Sequence, residues 1–596
     1  MSKTLKLLLY GFLPILLIFG VGMLAWSYFN GTLRLDRDTY SLWLAEYTGD
    51  DPIWYSQWQP EADNPTLQFR RRLPEFGATA ERDRSQRAYS LLLQLSDRNP
   101  GEKDAQDHLA IMYWLEHEEQ KASFQALSFP LDPIEGEHLI LEDLMLSYHQ
   151  IHNESDCNAY LSRLREIPRA CAQWQQRILS LEQDEQLPHP WVMERTYEQL
   201  TRYATLPFNE HPLYLSFARR AGGADMTQLN QVTILKFLEE IASVLETDVK
   251  PAFAELSQVC LDVMPDSEST WTGTDPAYYN FLTEYYANQP VSPEELHQLG
   301  LQSVDSWQQE IQRYQDSIGG WVPAGDPELT IGYESDSLQK VLVEQLFLMR
   351  RNYSRYARGV IDTVRFGGVV TRPAYPGRMR TQLTHYVPSA LIPDERPARF
   401  EVDFDSLASQ SPAQMEIMVV RELVPGKNLL WNRQIGYSGH TYWRKTLAHP
   451  TTMAGWERYA CYLIDHDMAA WKHRPEIRLT YLRQERHYGL RLVVDTGLHG
   501  LGWTTDEAMK YLQETGGLSR IEAKEEIISI LARPGEAVAA VIGFSSIINL
   551  RQEMKEELGA DFFLQAFHHA LLSEGALPPF MLKDAIRNRL VSSKSE

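Results

Sequence analysis

The chain is 596 residues long, 43% hydrophobic and 11% aromatic, which is ample material for a large core and too much for a disordered chain. Its 57 basic and 80 acidic side chains leave a formal net charge of -23, with a pI of about 5.3. No Lys/Arg stripe stands out against that excess, so the composition argues against a nucleic-acid partner.

From the N-terminus, Lys3 and Lys6 precede residues 7–29, a run without a charged side chain. At about 1.5 Å per residue a helix of this length covers a hydrocarbon layer of roughly 30 Å. Trp26 and Tyr28 stand at its far end, where amphipathic rings favour the interface. The reading is a tail over 1–6, one transmembrane helix over 7–29 and an aromatic, polar juxtamembrane segment over 30–65. A helical domain then fills 66–590. A cleaved signal peptide with Gly20 and Gly22 at the cleavage site is the competing reading, although the run exceeds an h-region of about 7–15 residues. Arg34 and Arg37 balance Lys3 and Lys6, so charge alone leaves the orientation open. The simplest insertion keeps the short tail inside and the large domain outside the cytoplasm.

Helical periodicity dominates the remainder of the chain. Ile234, Leu238, Ile241 and Leu245 recur at three- and four-residue steps, as do Leu338, Leu342, Leu346 and Met349. Ser292-Pro293-Glu294-Glu295 sets out a cap, a first-turn proline and a capping-box glutamate. Thr504 with Glu507 and Ser519 with Glu522 give the same start signal, and Gly516-Gly517 ends the helix between them. Strand signals are few. Phe400, Val402 and Phe404 alternate with Glu401 and Asp403, which predicts a half-buried strand within a small β insertion around 360–405. The fold class is therefore mainly α. Cys157, Cys171, Cys260 and Cys461 form no CxxC or zinc-knuckle spacing; in an exported domain a Cys157–Cys171 disulfide is one option, and small buried hydrophobes are the other.

Several segments resemble a known family. The helix start at 292–301, Pro393-Asp394-Glu395-Arg396-Pro397-Ala398-Arg399-Phe400-Glu401-Val402-Asp403, the run at 491–503 containing Asp495-Thr496-Gly497-Leu498-His499, and the segment from Phe567-His568 to Gly575-Ala576-Leu577-Pro578 are together similar to the bacterial DUF885 family. That family is related in architecture to helical zinc peptidases of the gluzincin type. The likeness is specific from about 278 to 590 and general before it. It implies a large helical metallopeptidase-like domain. It also implies a metal site built from an HExxPGH segment and a downstream EGW acid.

At those positions this chain carries Arg421-Glu422-Leu423-Val424-Pro425-Gly426-Lys427 and Ala454-Gly455-Trp456. Both histidines are replaced by basic side chains, and the acid by alanine. Tyr459 persists, Cys461 stands where an acid is usual, and Ala540 replaces a tyrosine expected after Pro534-Gly535-Glu536. Arginine has no lone pair to offer, and Lys427 could ligate only if deprotonated. Glu422, the implied general base, then has no metal-polarised water to act on. Positions 421 and 427 also do not share a face of an ideal helix, so Pro425-Gly426 must distort it.

No other constellation replaces the motif. His440, His449, His466, His473 and His487, with Asp465 and Asp467, form no HExxH pair, and His117-Glu118 lacks a second histidine. Gly436-Tyr437-Ser438-Gly439-His440 resembles a nucleophile elbow only superficially. His499 has two readings of equal weight, a transition-state hydrogen-bond donor as in active relatives or a helix-start histidine satisfying backbone groups. The sequence thus points to a pseudoenzyme with no cofactor, single-pass in a bacterial inner membrane with a periplasmic domain. Glu422 and His499 are then vestigial, and the residual cleft binds a peptide or an envelope protein. The alternatives are an active zinc-dependent peptidase with atypical ligands, and a structural partner acting through its acidic surface.

Overall fold

Helices supply nearly all of the regular structure in the computed structural model, which describes residues 51–58, 72–97, 105–222, 229–265, 273–320, 335–361, 369–373, 384–391, 396–408 and 410–592. The transmembrane segment expected at 7–29 lies outside these. Among the described residues no single helix is long and apolar enough to cross a membrane. The stretch expected to be juxtamembrane contributes one described helix, Pro52–Trp58, which joins the body: Trp58 packs on Trp431 with ring centroids 5.5 Å apart, and its carbonyl accepts from the Leu391 N–H.

Ten helices and three strands frame the site. In chain order they are α1 (Glu154–Gln183), α2 (Lys250–Asp262), α3 (Pro276–Ala287), α4 (Pro293–Ser317), α5 (Ser335–Ala357), β1 (Val369–Pro373), β2 (Thr384–Val387), β3 (Ala398–Val402), α6 (Pro412–Glu422), α7 (Lys427–Gly436), α8 (Pro450–Tyr462), α9 (Pro475–Gly500) and α10 (Glu536–Leu558). The capping boxes read from the sequence are present at Ser292, Thr504 and Ser519. Helix 505–514 ends before Gly517, which takes a φ of 75°. The pattern at 231–247 forms a helix over Gln231–Val244, which passes into a π turn at Leu245–Val249 before α2 continues.

Two large cores result. One draws on Leu73, Phe76 and buried residues between Leu131 and Cys260, gathered around Trp174, Tyr160 and Phe217 on α1, α2 and their neighbours. The other core runs through α6, α8 and α9 around Trp443, Trp456, Trp471 and Tyr481. All four cysteines are buried free thiols, so the hydrophobe reading holds for each.

The β insertion forms where expected, as a sheet of order β1-β3-β2 with β1 parallel and β2 antiparallel to β3. The expectation of a half-buried strand is corrected: every residue of β3 is buried. Phe400 and Val402 enter the α6–α9 core, while the opposite face is covered by residues 144–148. There Ser147 Oγ donates to Glu401 (3.0 Å) and its carbonyl accepts from Arg399 (2.9 Å). A central strand between two layers keeps its polar residues only by pairing them.

The closest helix approach of consequence for the site is α8 on α10. Gly455 and Gly543 face each other so tightly that a Cβ on Gly455 would stand 2.3 Å from the Gly543 carbonyl carbon, and one on Gly543 would stand 1.9 Å from Thr451 O. Both obstacles are backbone, which cannot rotate aside. Gly543→Ala is therefore expected to cost about 3 kcal/mol or more, read as a clear drop in thermal midpoint. Gly436→Ala, where nothing lies within 4 Å, is expected to leave the midpoint unchanged or raised. Equal midpoints for the two variants would show that the helices do not approach this closely.

Candidate functional site

The basic pair around Glu422 is assembled by a helix break. Ser411 caps α6 in a capping box with Gln414, and the helix runs to Glu422. Proline has no N–H to continue the ladder, and the Val424–Pro425 peptide is cis. The Gly426 N–H turns back to the Val420 carbonyl (3.0 Å). A Cβ on Gly426 would lie 1.7 Å from Arg421 O, so only glycine lets the chain fold this closely over the end of α6. Lys427 then opens α7. The fully buried Trp456 indole N–H spans the Pro425 and Gly426 carbonyls (3.0 and 3.1 Å), fixing the break against α8. The distortion inferred at Pro425-Gly426 is thus a complete interruption, and it brings residues 421 and 427 to the same carboxylate.

That carboxylate is Glu422, itself buried. Lys427 Nζ lies 3.0 Å from Glu422 Oε2 and 3.1 Å from Glu457 Oε1, and Arg421 is 3.2 Å from Glu422 Oε1. Burial opposes the charge on Glu422, yet Lys427 and Arg421 outweigh it and hold the carboxyl below its usual value. Burial alone would lower Lys427, but Glu422 and Glu457 raise it above its usual value, so it is an ammonium with no free lone pair. Arg421 is likewise raised despite burial, with Tyr488 as a hydrogen-bond partner beside Glu422 and Glu457. Glu457 is pushed up by burial, with Lys427 opposing.

One turn deeper, Arg458 and Glu485 pair through contacts of 3.1 and 2.6 Å with both side chains almost wholly buried. The Arg458 guanidinium lies over the rings of Tyr488 (4.4 Å) and Phe544 (4.6 Å) and donates to the Ala540 carbonyl (2.8 Å). Three cations thus face three carboxylates across α6, the start of α7, α8 and α9, and the cluster is internally neutral. Ala454, half-buried, precedes Glu457 by one turn of α8. Cys461 is a buried thiol with its pKa driven up by burial. Tyr459 meets His568 (2.9 Å) and Arg551 (3.2 Å).

His499 is not part of this cluster. It lies eleven residues beyond Tyr488 on α9, about 16 Å along the axis. Its Nδ1 pairs with Thr274 Oγ1 (2.7 Å) and its Nε2 with the Ile530 carbonyl (3.1 Å), and burial lowers its pKa to about 4. These contacts are those of a neutral histidine satisfying polar groups. One turn before it, Asp495 accepts from Tyr279 OH (2.6 Å) and from the Gly535 N–H (3.1 Å to each oxygen), and burial raises it to about 7.

The other histidines do not converge. His449 caps α8, His466 stacks on Tyr462 (4.1 Å), His487 meets Glu526 (3.2 Å) and His440 lies against the Gln434 carbonyl. Among the described residues no group of three His, Cys, Asp or Glu could hold a metal ion. Residues 436–440 follow a helix, so the elbow-like sequence has no strand before it. Glu457, Tyr488, Arg458 and Glu485 escaped the sequence reading. Glu457 alone had a local signal, its three-residue spacing from Ala454.

The profile described as "Bacterial protein of unknown function (DUF885)" matches residues 62–586. No curated protein matches the chain. Among solved structures, a protein described as a candidate lipoprotein from Colwellia psychrerythraea superposes with a TM-score of 0.81 at 16% identity, covering 93% of this chain and 99% of that one. A second, described as a candidate lipoprotein of unknown function from Shewanella oneidensis, gives 0.63 at 14% identity, covering 92% and 99%.

The geometry sets two expected outcomes. Glu422→Gln leaves two cations facing one neutral amide and is expected to cost roughly 2–4 kcal/mol at pH 7. Because the folded carboxyl titrates below 4.5, the deficit relative to the parent should persist at neutral pH and shrink on acidification below that value. Thermal unfolding between pH 3 and 7 checks this, and an unchanged midpoint at pH 7 would remove the ion pair from the account. Asp495 has the opposite sign. Its folded pKa of about 7 exceeds the ordinary 3.8, so the native state holds an extra proton and loses stability as pH rises between these values, by at most about 4 kcal/mol. In Asp495→Asn that slope should flatten.

Proposed function

Because the chain belongs to the DUF885 family of bacterial proteins, we propose that it is an envelope-associated, noncatalytic member that works by binding rather than by hydrolysis. The lipoprotein descriptions of the two solved structures support an envelope setting. The uncharged run at 7–29 supports attachment through a single inner-membrane helix with a periplasmic domain. The partner is a peptide or another envelope protein.

The observation that carries the noncatalytic reading is the position of Lys427 Nζ, 3.0 Å from Glu422 and 3.1 Å from Glu457. On the resemblance to zinc peptidases, residue 427 would be a metal ligand. The protonated amine it carries here is committed to two carboxylates and offers no lone pair to a divalent ion. Zinc hydrolysis needs about three neutral or anionic ligands and an open position. Arg421 and Lys427 supply neither, and Glu422 is committed to both of them. In this reading the ancestral metal centre has become a structural ion-pair network, and the frame around it has been retained for recognition.

Metal content of the purified full-length protein, with peptide hydrolysis assayed in parallel, tests the proposal. The expected result is no stoichiometric zinc and no hydrolysis that Glu422→Ala abolishes; a tightly held divalent ion together with Glu422-dependent cleavage would overturn it. The triple variant Arg421→His, Lys427→His and Ala454→Glu is expected to acquire zinc at close to one ion per chain. Its failure to bind any metal while remaining folded would place the ancestral site elsewhere.

A further inference from the structure

The sequence reading finds no basic stripe, yet helix α5 gathers one. Arg351 and Arg355 lie one turn apart on its exposed side, Arg358 follows in the turn just beyond its last residue, and all three are exposed. Among the described residues none of them is paired with a carboxylate. That concentrates positive charge on one side of a helix in a chain of net charge -23.

Two cavities open along this helix and share Arg355. The first, about 570 Å³, is lined by Met349, Asn352, Tyr353, Arg355, Glu416 and Arg474 among others. The second, about 460 Å³, is lined by Phe347, Arg350, Arg351, Ser354, Arg355 and Arg358. Both fall within the size range of ligand sites.

The acid in the first cavity is already committed. Arg474 grips Glu416 with two contacts (2.8 and 2.6 Å), and Tyr353 OH also donates to it while accepting from Trp471 Nε1 (2.8 Å). The floor is thus rigid and neutral, and the rim is cationic. The nearest acid on the exposed face of α5 is Glu344, two turns before Arg351. Apolar side chains flank the arginines: Phe347 is 59% exposed, Leu348 47% and Tyr356 45%.

We propose that this face of α5 binds the phosphate group of an anionic amphiphile. Arginine forks match phosphate oxygens in paired, charge-assisted hydrogen bonds. Phe347, Leu348 and Tyr356 supply the apolar contact that an acyl chain needs and a free phosphate does not. The site is separate from the ion-pair network. Glu416 precedes Glu422 by six residues on α6, about 9 Å along the axis and roughly 120° around it.

The test is calorimetric titration of the full-length protein in nonionic detergent with three probes: dihexanoyl phosphatidic acid, dihexanoyl phosphatidylcholine and inorganic pyrophosphate. Saturable binding of the phosphatidic acid is expected, with little binding of the zwitterionic lipid. The variant R351Q/R355Q/R358Q should weaken that binding at least about tenfold while keeping the parental thermal midpoint, since these side chains are exposed and have no carboxylate partner among the described residues. Phe347→Ser should weaken phosphatidic acid and leave pyrophosphate unaffected. Phosphatidic acid failing to bind, binding the arginine variant as it binds the parent, or being matched by phosphatidylcholine overturns the proposal. Pyrophosphate binding as tightly as the lipid, with no effect of Phe347→Ser, replaces the amphiphile with a soluble phosphate.

Discussion

The site depends on one ammonium group. Lys427 Nζ bridges Glu422 on α6 and Glu457 on α8, and so ties the helix before the Pro425-Gly426 break to the helix packed against it. Burying two carboxylates this close together without a cation would force one of them to take up a proton. Arg421 supplies the second positive charge and connects the cluster to Tyr488 on α9. Three helices are therefore held in mutual register by charge as well as by the apolar core beneath them. The arrangement tolerates little change in any one member, because each is the counter-charge of another.

Much of the fold was legible because it rests on local rules. The capping boxes at Ser292, Thr504 and Ser519 come from spacing alone, and so does the apolar period along residues 338–349. The β insertion was placed correctly from alternation, but its burial was misjudged. The partner of Glu401 is Ser147, 254 positions away, and no local pattern announces that layer. The candidate site divides in the same way. Residues 421 and 427 stand out as departures from the motif that the family resemblance implies, with Glu422 as the glutamate kept between them. The second carboxylate at Lys427, Glu457 on α8, and the pairing of Arg458 with Glu485 depend on how α8 and α9 cross, which sequence periodicity does not report. His499 was found by motif as well, yet the helix carries it about three turns away from the residues it was grouped with.

Electrostatic character is distributed unevenly over the molecule. The buried cluster at 421–485 is balanced, with every described charge matched. Arg351, Arg355 and Arg358 have no carboxylate partner among the described residues, on an otherwise acidic chain. Matched charge buried between helices serves cohesion, and unmatched charge at a surface is available for a partner. On that criterion the region around residues 421–427 holds the protein together, and the exposed side of α5 is the more open to selection for binding.

The glycine contact between α8 and α10 bears on the history of such a site. With Gly455 against Gly543, neither helix can slide or rotate without driving backbone into backbone. Side chains at 454 and 457 are therefore displayed from a platform whose geometry does not adjust to what they are. A lineage can exchange an acid for an alanine, or an imidazole for an amine, and the scaffold will present the newcomer at the same point in space. Chemistry in such a frame can be erased by single substitutions while the architecture records where it was.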